Sequence, residues 1–250
     1  MNEQMFETEL IQYITTGTVT NPECLAGIPE FSATGLGNKV VKTKLWKYEP
    51  DIKTTPQLWN NFKTILEQHN QNVLEHPMSE AEFNQVKKII SDLHTPYEAG
   101  QFLYGLNGVS QIEIDLDDGR HVFLTVFDQK EIGAGDTVYQ VVNQIERPAV
   151  INGKMNRRFD TTLLINGLPI IQIEEKRDTH DVNEALNQMH QYIDEGQYGD
   201  IFSVLQILIA MTPNNVKYMA NTTSEKFNKD FAFHWQRRSN NGCLLYTSPS

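Results

Sequence analysis

Two runs of β-branched and apolar residues, Arg158–Ile165 and Leu168–Lys176, meet at Asn166-Gly167. That dipeptide is the strongest short-range hairpin signal, because both central positions of the tight turn need positive φ. A hairpin here fixes where the charged residues at its open end can go. Glu174 and Lys176 lie two apart and share a face in any register, since side chains alternate along a strand. Asp160 depends on the turn. With a two-residue loop Ile165 opposes Leu168, Asp160 falls opposite Ile173, and the two carboxylates face apart. An odd-numbered loop (Asn166 to Leu168), or an equivalent bulge, places Asp160 opposite Glu174. The prediction is therefore an odd loop or a bulge.

Two carboxylates and an amine on paired strands suit metal-assisted hydrolysis of a phosphodiester. A bound divalent cation offsets charge building on the phosphoryl oxygens and supplies hydroxide near neutral pH. Mg²⁺ prefers hard oxygen ligands and is usually held by one or two carboxylates with waters and substrate oxygens, which Asp160 and Glu174 would satisfy. Lys176 would orient the attacking water or stabilise the developing charge, as a cation rather than a base while the two acids keep it protonated. An alternative is a strand that simply ends in a solvated Glu174-Glu175-Lys176-Arg177 run.

A helix is predicted over Thr179–Tyr192, with Val182, Ala185, Leu186 and Met189 on its inner face. Gln188 and Tyr192 are spaced i, i+4 and stack on one face, where they could jointly contact a sugar-phosphate backbone at the rim of the site.

Phe159-Asp160, Gly167-Leu168-Pro169, Gln172-Ile173-Glu174-x-Lys176 and Leu186-Asn187-Gln188-x-x-x-Tyr192 together resemble the nuclease domain of type I restriction endonuclease R subunits, in the PD-(D/E)xK superfamily. Tyr218–Thr223 and Phe231–Trp235 resemble the two strands that close that domain, so the likeness runs to about Gln236. The resemblance implies an α/β (α+β) fold, a mixed central sheet flanked by helices. Residues 1–105 would be its mainly helical part and 106–236 its sheet core. It implies DNA endonucleolysis in which Asp160 and Glu174 bind Mg²⁺, Lys176 assists the water, and Gln188 with Tyr192 steadies the strand. The family also carries a glutamate on its first helix, matched best here by Glu7, with Glu9 a close second. Phe159 stands where the superfamily name calls for proline. Family members continue into an ATP-driven motor, but no Gly-x-x-x-x-Gly-Lys-Ser/Thr appears. Gly133-Ala134-Gly135 and Gly35–Lys39 read as loop glycines. The implied partners are double-stranded DNA and the methyltransferase and specificity subunits. The alternatives are a nuclease of the same superfamily acting without a motor, and a non-catalytic module docking to the methyltransferase complex.

Charge qualifies this picture. In 250 residues, 21 Lys and Arg against 32 Asp and Glu give a net charge of −11, wrong for a protein that grips many phosphates unaided. Lys154, Arg157, Arg158, Lys176 and Arg177 cluster around the hairpin and would line a basic cleft in an otherwise acidic molecule. Cys24 and Cys243 fit no metal-ligand spacing. With no signal peptide or membrane-length apolar stretch, they suggest a reduced, cytoplasmic protein.

Elsewhere, helices are expected over about 5–15, from Thr55-Pro56 with Thr55 as cap and Leu58, Phe62, Ile65 and Leu66 inward, and from a capping box at Ser79 through Phe83, Val86 and Ile90. Ile112–Leu116 and His121–Phe127 form a second hairpin at Asp118-Gly119, with Glu113, Asp115 and Asp117 on its solvent face. Its acidic run does not keep the spacing of an EF-hand calcium loop. Lys39–Lys47 reads as extended and Phe202–Met211 as a buried strand. Val138–Ile145 supports helix or strand, and the resemblance favours helix. His180, His190 and His234 fall at no metal spacing. Residues 237–250 follow no period and read as an out-of-frame or non-native end.

Overall fold

The computed structural model describes residues 2–18, 20, 46–132 and 135–235. The expectations for 39–45, for Gly35–Lys39 and Gly133-Ala134, for both cysteines and for the 237–250 tail lie outside the described residues.

The sheet is built around the predicted hairpin. Its strands are β1 (Lys47–Tyr48), β4 (Tyr139–Arg147), β5 (Arg157–Ile165), β6 (Leu168–Glu175), β7 (Ile207–Thr212), β8 (Asn215–Ala220) and β9 (Phe233–His234), adjacent in that order. β1 with β4 and β6 with β7 are parallel, and the other pairs are antiparallel. The fold is α/β with a mixed sheet. Between parallel β6 and β7 the chain crosses over through α5 (Val182–Asp194) and a short 3-10 helix, Asp200–Val204, as parallel pairing requires. β8 and β9 form the far edge, where the two closing strands were expected.

Helices cover both faces. On one, α1 (Glu3–Thr16) sets Phe6, Leu10 and Ile11 against Val141, Leu163, Ile173, Met211 and Val216. On the other, a larger core joins the sheet to α5, α2 (Thr55–His69), α3 (Glu80–Ser91) and a separate hairpin of β2 (Val109–Asp115) and β3 (His121–Asp128). The helices start where cap chemistry puts them. Ser79 and Glu82 close a capping box on α3. α2 is capped by Thr54, one residue before the expected Thr55, because Thr54 is the residue with extended backbone and Gln57 reaches back to it. α4 (Pro96–Tyr104), capped by Thr95 and Glu98, carries the same signal and was not anticipated. Glu113, Asp115 and Asp117 are exposed on the second hairpin as expected, and His121 bonds both Glu113 and Asp115.

Two expectations are corrected. Val138–Ile145 is not helix: strand β4 begins at Tyr139 and runs through Ile145. The strand is buried on both faces and kinked at Gln144, which stands at φ 57° opposite Asp160 with no change of register. Val142 and Ile145 therefore face the larger core although three residues apart, while Val141 faces α1. Phe202–Met211 is only half strand. Its first residues form the 3-10 helix and pairing begins at Ile207, because a continuous apolar run carries no period to separate the two states.

Candidate active site at the open end of the hairpin

The turn decides whether a site exists. Asn166 and Gly167 both have positive φ (49° and 81°), a two-residue turn of type I′ that sets Ile165 opposite Leu168. The register then shifts between Leu163 and Leu164: Leu164 faces Pro169, Leu163 faces Ile171, and Ile170 is the extra residue. This is the bulge the shared site needs. Beyond it Thr161 faces Ile173, and the next pair outward is Asp160 with Glu174. Asp160 Oδ2 accepts from the Glu175 amide at 2.9 Å, fixing it across the strand end.

The partner strand is distorted at the same level. β4 and β5 pair continuously except at Gln144 and Asp160. The left-handed turn at Gln144 sends two consecutive side chains toward α1. Asn143 Nδ2 donates to Glu7 Oε1, and Gln144 Nε2 donates to Glu7 Oε2 at 2.6 Å. Asn143 is itself held by the Tyr48 hydroxyl at 2.9 Å and, through its carbonyl, by Lys53 Nζ at 2.8 Å. Glu7 thus comes to the site from α1. Glu9 turns elsewhere and accepts from the Thr20 amide at 2.9 Å.

Lys176 sits between the acids. Its Nζ lies 3.7 Å from Glu174 Oε1 and 3.3 Å from Glu3 Oε1, and donates to the Glu175 carbonyl at 3.0 Å. Burial alone would lower its pKa, but Glu174, Asp160 and Glu3 outweigh burial and hold the ammonium above its ordinary value. Lys176 is a positioned cation here. The carboxyls move the other way from their normal range. Burial, then the Asp160 charge, pushes Glu174 well above the usual carboxylate value, and burial raises Asp160 and Glu7.

Gln188 and Tyr192 do form one unit on α5, but not at the rim. Tyr192 is 1% exposed, packs on Phe159, and donates to Glu174 Oε1 at 3.3 Å, while Gln188 Nε2 bonds its hydroxyl. Helix periodicity placed the pair on one face without showing that this face lies against β6. The basic cluster also divides. Arg157 clamps Glu195 with Nε at 2.6 Å, and Lys154 lies 3.8 Å from the same carboxylate, so both are tied to the end of α5. Arg158 and Arg177 are exposed beside the site. Glu3, Asn143 and Gln144 were not singled out beforehand. For Glu3 a signal existed, since it precedes Glu7 by one helical turn.

The donor set fits a hard divalent cation. Glu174 is fully buried, and its Oε2 has no hydrogen-bond partner among the described residues. An orphaned buried carboxylate oxygen is costly unless something cationic meets it. Among the described residues no three His, Cys, Asp or Glu side chains converge on a single metal position. The protein's share would be the Asp160 and Glu174 pair, the count that suits Mg²⁺.

Comparison with known proteins identifies the family. Residues 33–227 match the family model described as type I restriction enzyme R protein N terminus. The endonuclease subunit of type I restriction enzyme SauMSSORF170P of Staphylococcus aureus (strain MSSA476) is 31% identical over 191 residues, covering 76% of this chain and 19% of that subunit. The SsaAORF53P subunit of Staphylococcus saprophyticus is 29% identical over the same share of each chain. The EcoprrI endonuclease subunit of Escherichia coli is 35% identical over 127 residues, 50% of this chain and 39% of the subunit. The chain therefore spans about a fifth of the length of the staphylococcal relatives. Matched over most of its residues, it belongs to the family of type I restriction enzyme R protein N termini.

Proposed function

We propose that this chain is the Mg²⁺-dependent nuclease domain of a type I restriction enzyme R subunit, of the PD-(D/E)xK kind, cutting phosphodiester bonds of double-stranded DNA. The observation that carries this reading is the Ile170 bulge, which brings Asp160 across from Glu174 with Lys176 3.7 Å from Glu174. Asp160 and Glu174 would hold the cation, which when bound supplies Lewis-acid charge and an acidified water. The chain's own residues supply the rest. Tyr192, braced by Gln188, fixes the Glu174 carboxylate. Lys176 stays protonated and presents its ammonium to the scissile phosphate. Glu7, held by Asn143 and Gln144, adds negative charge beside Asp160 in support of the metal site. Arg158 and Arg177 flank the approach. Methyltransferase and specificity subunits would choose the DNA, consistent with the net charge of −11, and ATP would be needed only by motor domains beyond this chain.

The test is nicking and linearisation of supercoiled plasmid with Mg²⁺ or Mn²⁺, beside Asp160→Ala, Lys176→Ala and an EDTA control. Metal-dependent cutting that both substitutions abolish by 10²-fold or more, about 3 kcal/mol of barrier, supports the site. Silence of the isolated chain that persists after adding the recognition, methylation and motor subunits sinks it.

A further inference from the structure

Lys176 has three N–H donors and three oxygen neighbours, and only one neighbour can leave without disturbing the sheet. The Glu175 carbonyl belongs to the same strand end, and Glu174 is fully buried. Glu3 is different: its side chain is 46% exposed against 16% for Lys176, and it comes from the first turn of α1. Its carboxylate approaches Lys176 from the solvent side at 3.3 Å, the side from which a nucleic-acid backbone must come. Among the described residues it forms no second ion pair.

We propose that Glu3 occupies the phosphate-binding face of Lys176 in the DNA-free protein and that an incoming phosphodiester displaces it, so that Glu3 sets the affinity of the site for DNA. This rests on the nuclease reading above and adds a residue to it. A carboxylate and a phosphodiester present similar charged oxygens to an ammonium, and both form charge-assisted hydrogen bonds of the same length. With the Glu3 side of the pair half exposed, solvent screening leaves it weak enough to exchange. Glu3 would also repel phosphate directly, and that second effect has to be separated from the first. If Glu3 acts by covering Lys176, removing it helps DNA only while Lys176 is present. If it acts only through its field, removing it helps regardless.

The experiment is a double-mutant cycle on the 250-residue chain. A fluorescein-labelled 20-base-pair duplex is titrated by anisotropy with Ca²⁺ in place of Mg²⁺, and thermal melts confirm that each variant is folded. Glu3→Gln is expected to tighten binding about threefold to tenfold, Glu3→Asp to change it less, and the gain to vanish in the Lys176→Ala background. A gain that survives Lys176→Ala, or no gain at all, overturns the proposal. So does failure of every form to bind, since phosphate then does not reach Lys176. None of these outcomes decides the nuclease reading, which stands or falls on plasmid cutting with Glu3 intact.

Discussion

The Tyr192 hydroxyl meets Glu174 Oε1 while its ring packs against Phe159 and Tyr198 in the core, so the two contributions can be separated. Tyr192→Phe keeps the ring and removes the bond that orients the carboxylate. Loss of such a supporting bond typically weakens metal binding about 10- to 100-fold; Mn²⁺ titration by calorimetry should show that loss with a melting temperature lowered by only a few degrees. Glu174 makes a second prediction. Burial holds its carboxyl well above the ordinary value of 4.5, so the folded state favours the protonated form. The stability this contributes is complete below the ordinary carboxylate range and is lost as pH rises through the folded value. In EDTA the wild type should therefore melt lower at about pH 8 than at about pH 5.5, and Glu174→Gln should lessen that dependence and melt higher at the upper pH, the buried Glu175, raised in the same sense, keeping the remainder. If the wild type melts identically at both, Glu174 is not held as described.

At the level of elements, the turn and bulge of the β5–β6 hairpin are tied to the helix above them. A Cβ on Gly167 would stand 2.8 Å from Phe62 Cα in α2, and the residue has φ 81°. Gly167→Ala should thus destabilise the chain by about 1–3 kcal/mol, measured by urea unfolding. An unchanged midpoint would mean that α2 does not close on the turn. This hairpin could be read from residues because its turn dipeptide, period and charges agree, and α2, α3 and α5 because their caps precede apolar stripes. β4 could not. Val138, Val141, Val142 and Ile145 sit at i, i+3, i+4 and i+7, a helical spacing that arises here from a strand covered on both faces and kinked at Gln144. The kink that misleads the eye is the same one that turns Asn143 and Gln144 toward Glu7. The one-turn spacing to Glu7 sets Glu3 on the same helix face, but its partner Lys176 is 173 residues away, and no local period reports that contact.

Over the whole molecule the balance of charge limits how DNA would be held under the proposed function. Of the five basic residues around the hairpin, Arg157 and Lys154 are paired to Glu195 and Lys176 to Glu3, so phosphates would meet Arg158, Arg177 and, once Glu3 is displaced, Lys176. Each neutralised phosphate contributes about −0.9 to the slope of log K against log salt on duplex DNA. The isolated chain should therefore show a slope of about −2 to −3 in Ca²⁺, far shallower than that of a protein tracking a long stretch of backbone. Lys176→Ala and Arg158→Ala should each reduce its magnitude by about one, and Arg157→Ala should leave the slope alone while lowering stability through Glu195. A steep slope for the wild type, or an equal loss from Arg157→Ala, would mean that the cleft extends toward α5 and that the ion pair opens on DNA. A shallow slope would fit the proposed reading, a nuclease domain whose DNA is brought to it by other parts of an assembly, since three phosphate contacts hold a duplex only weakly at physiological salt.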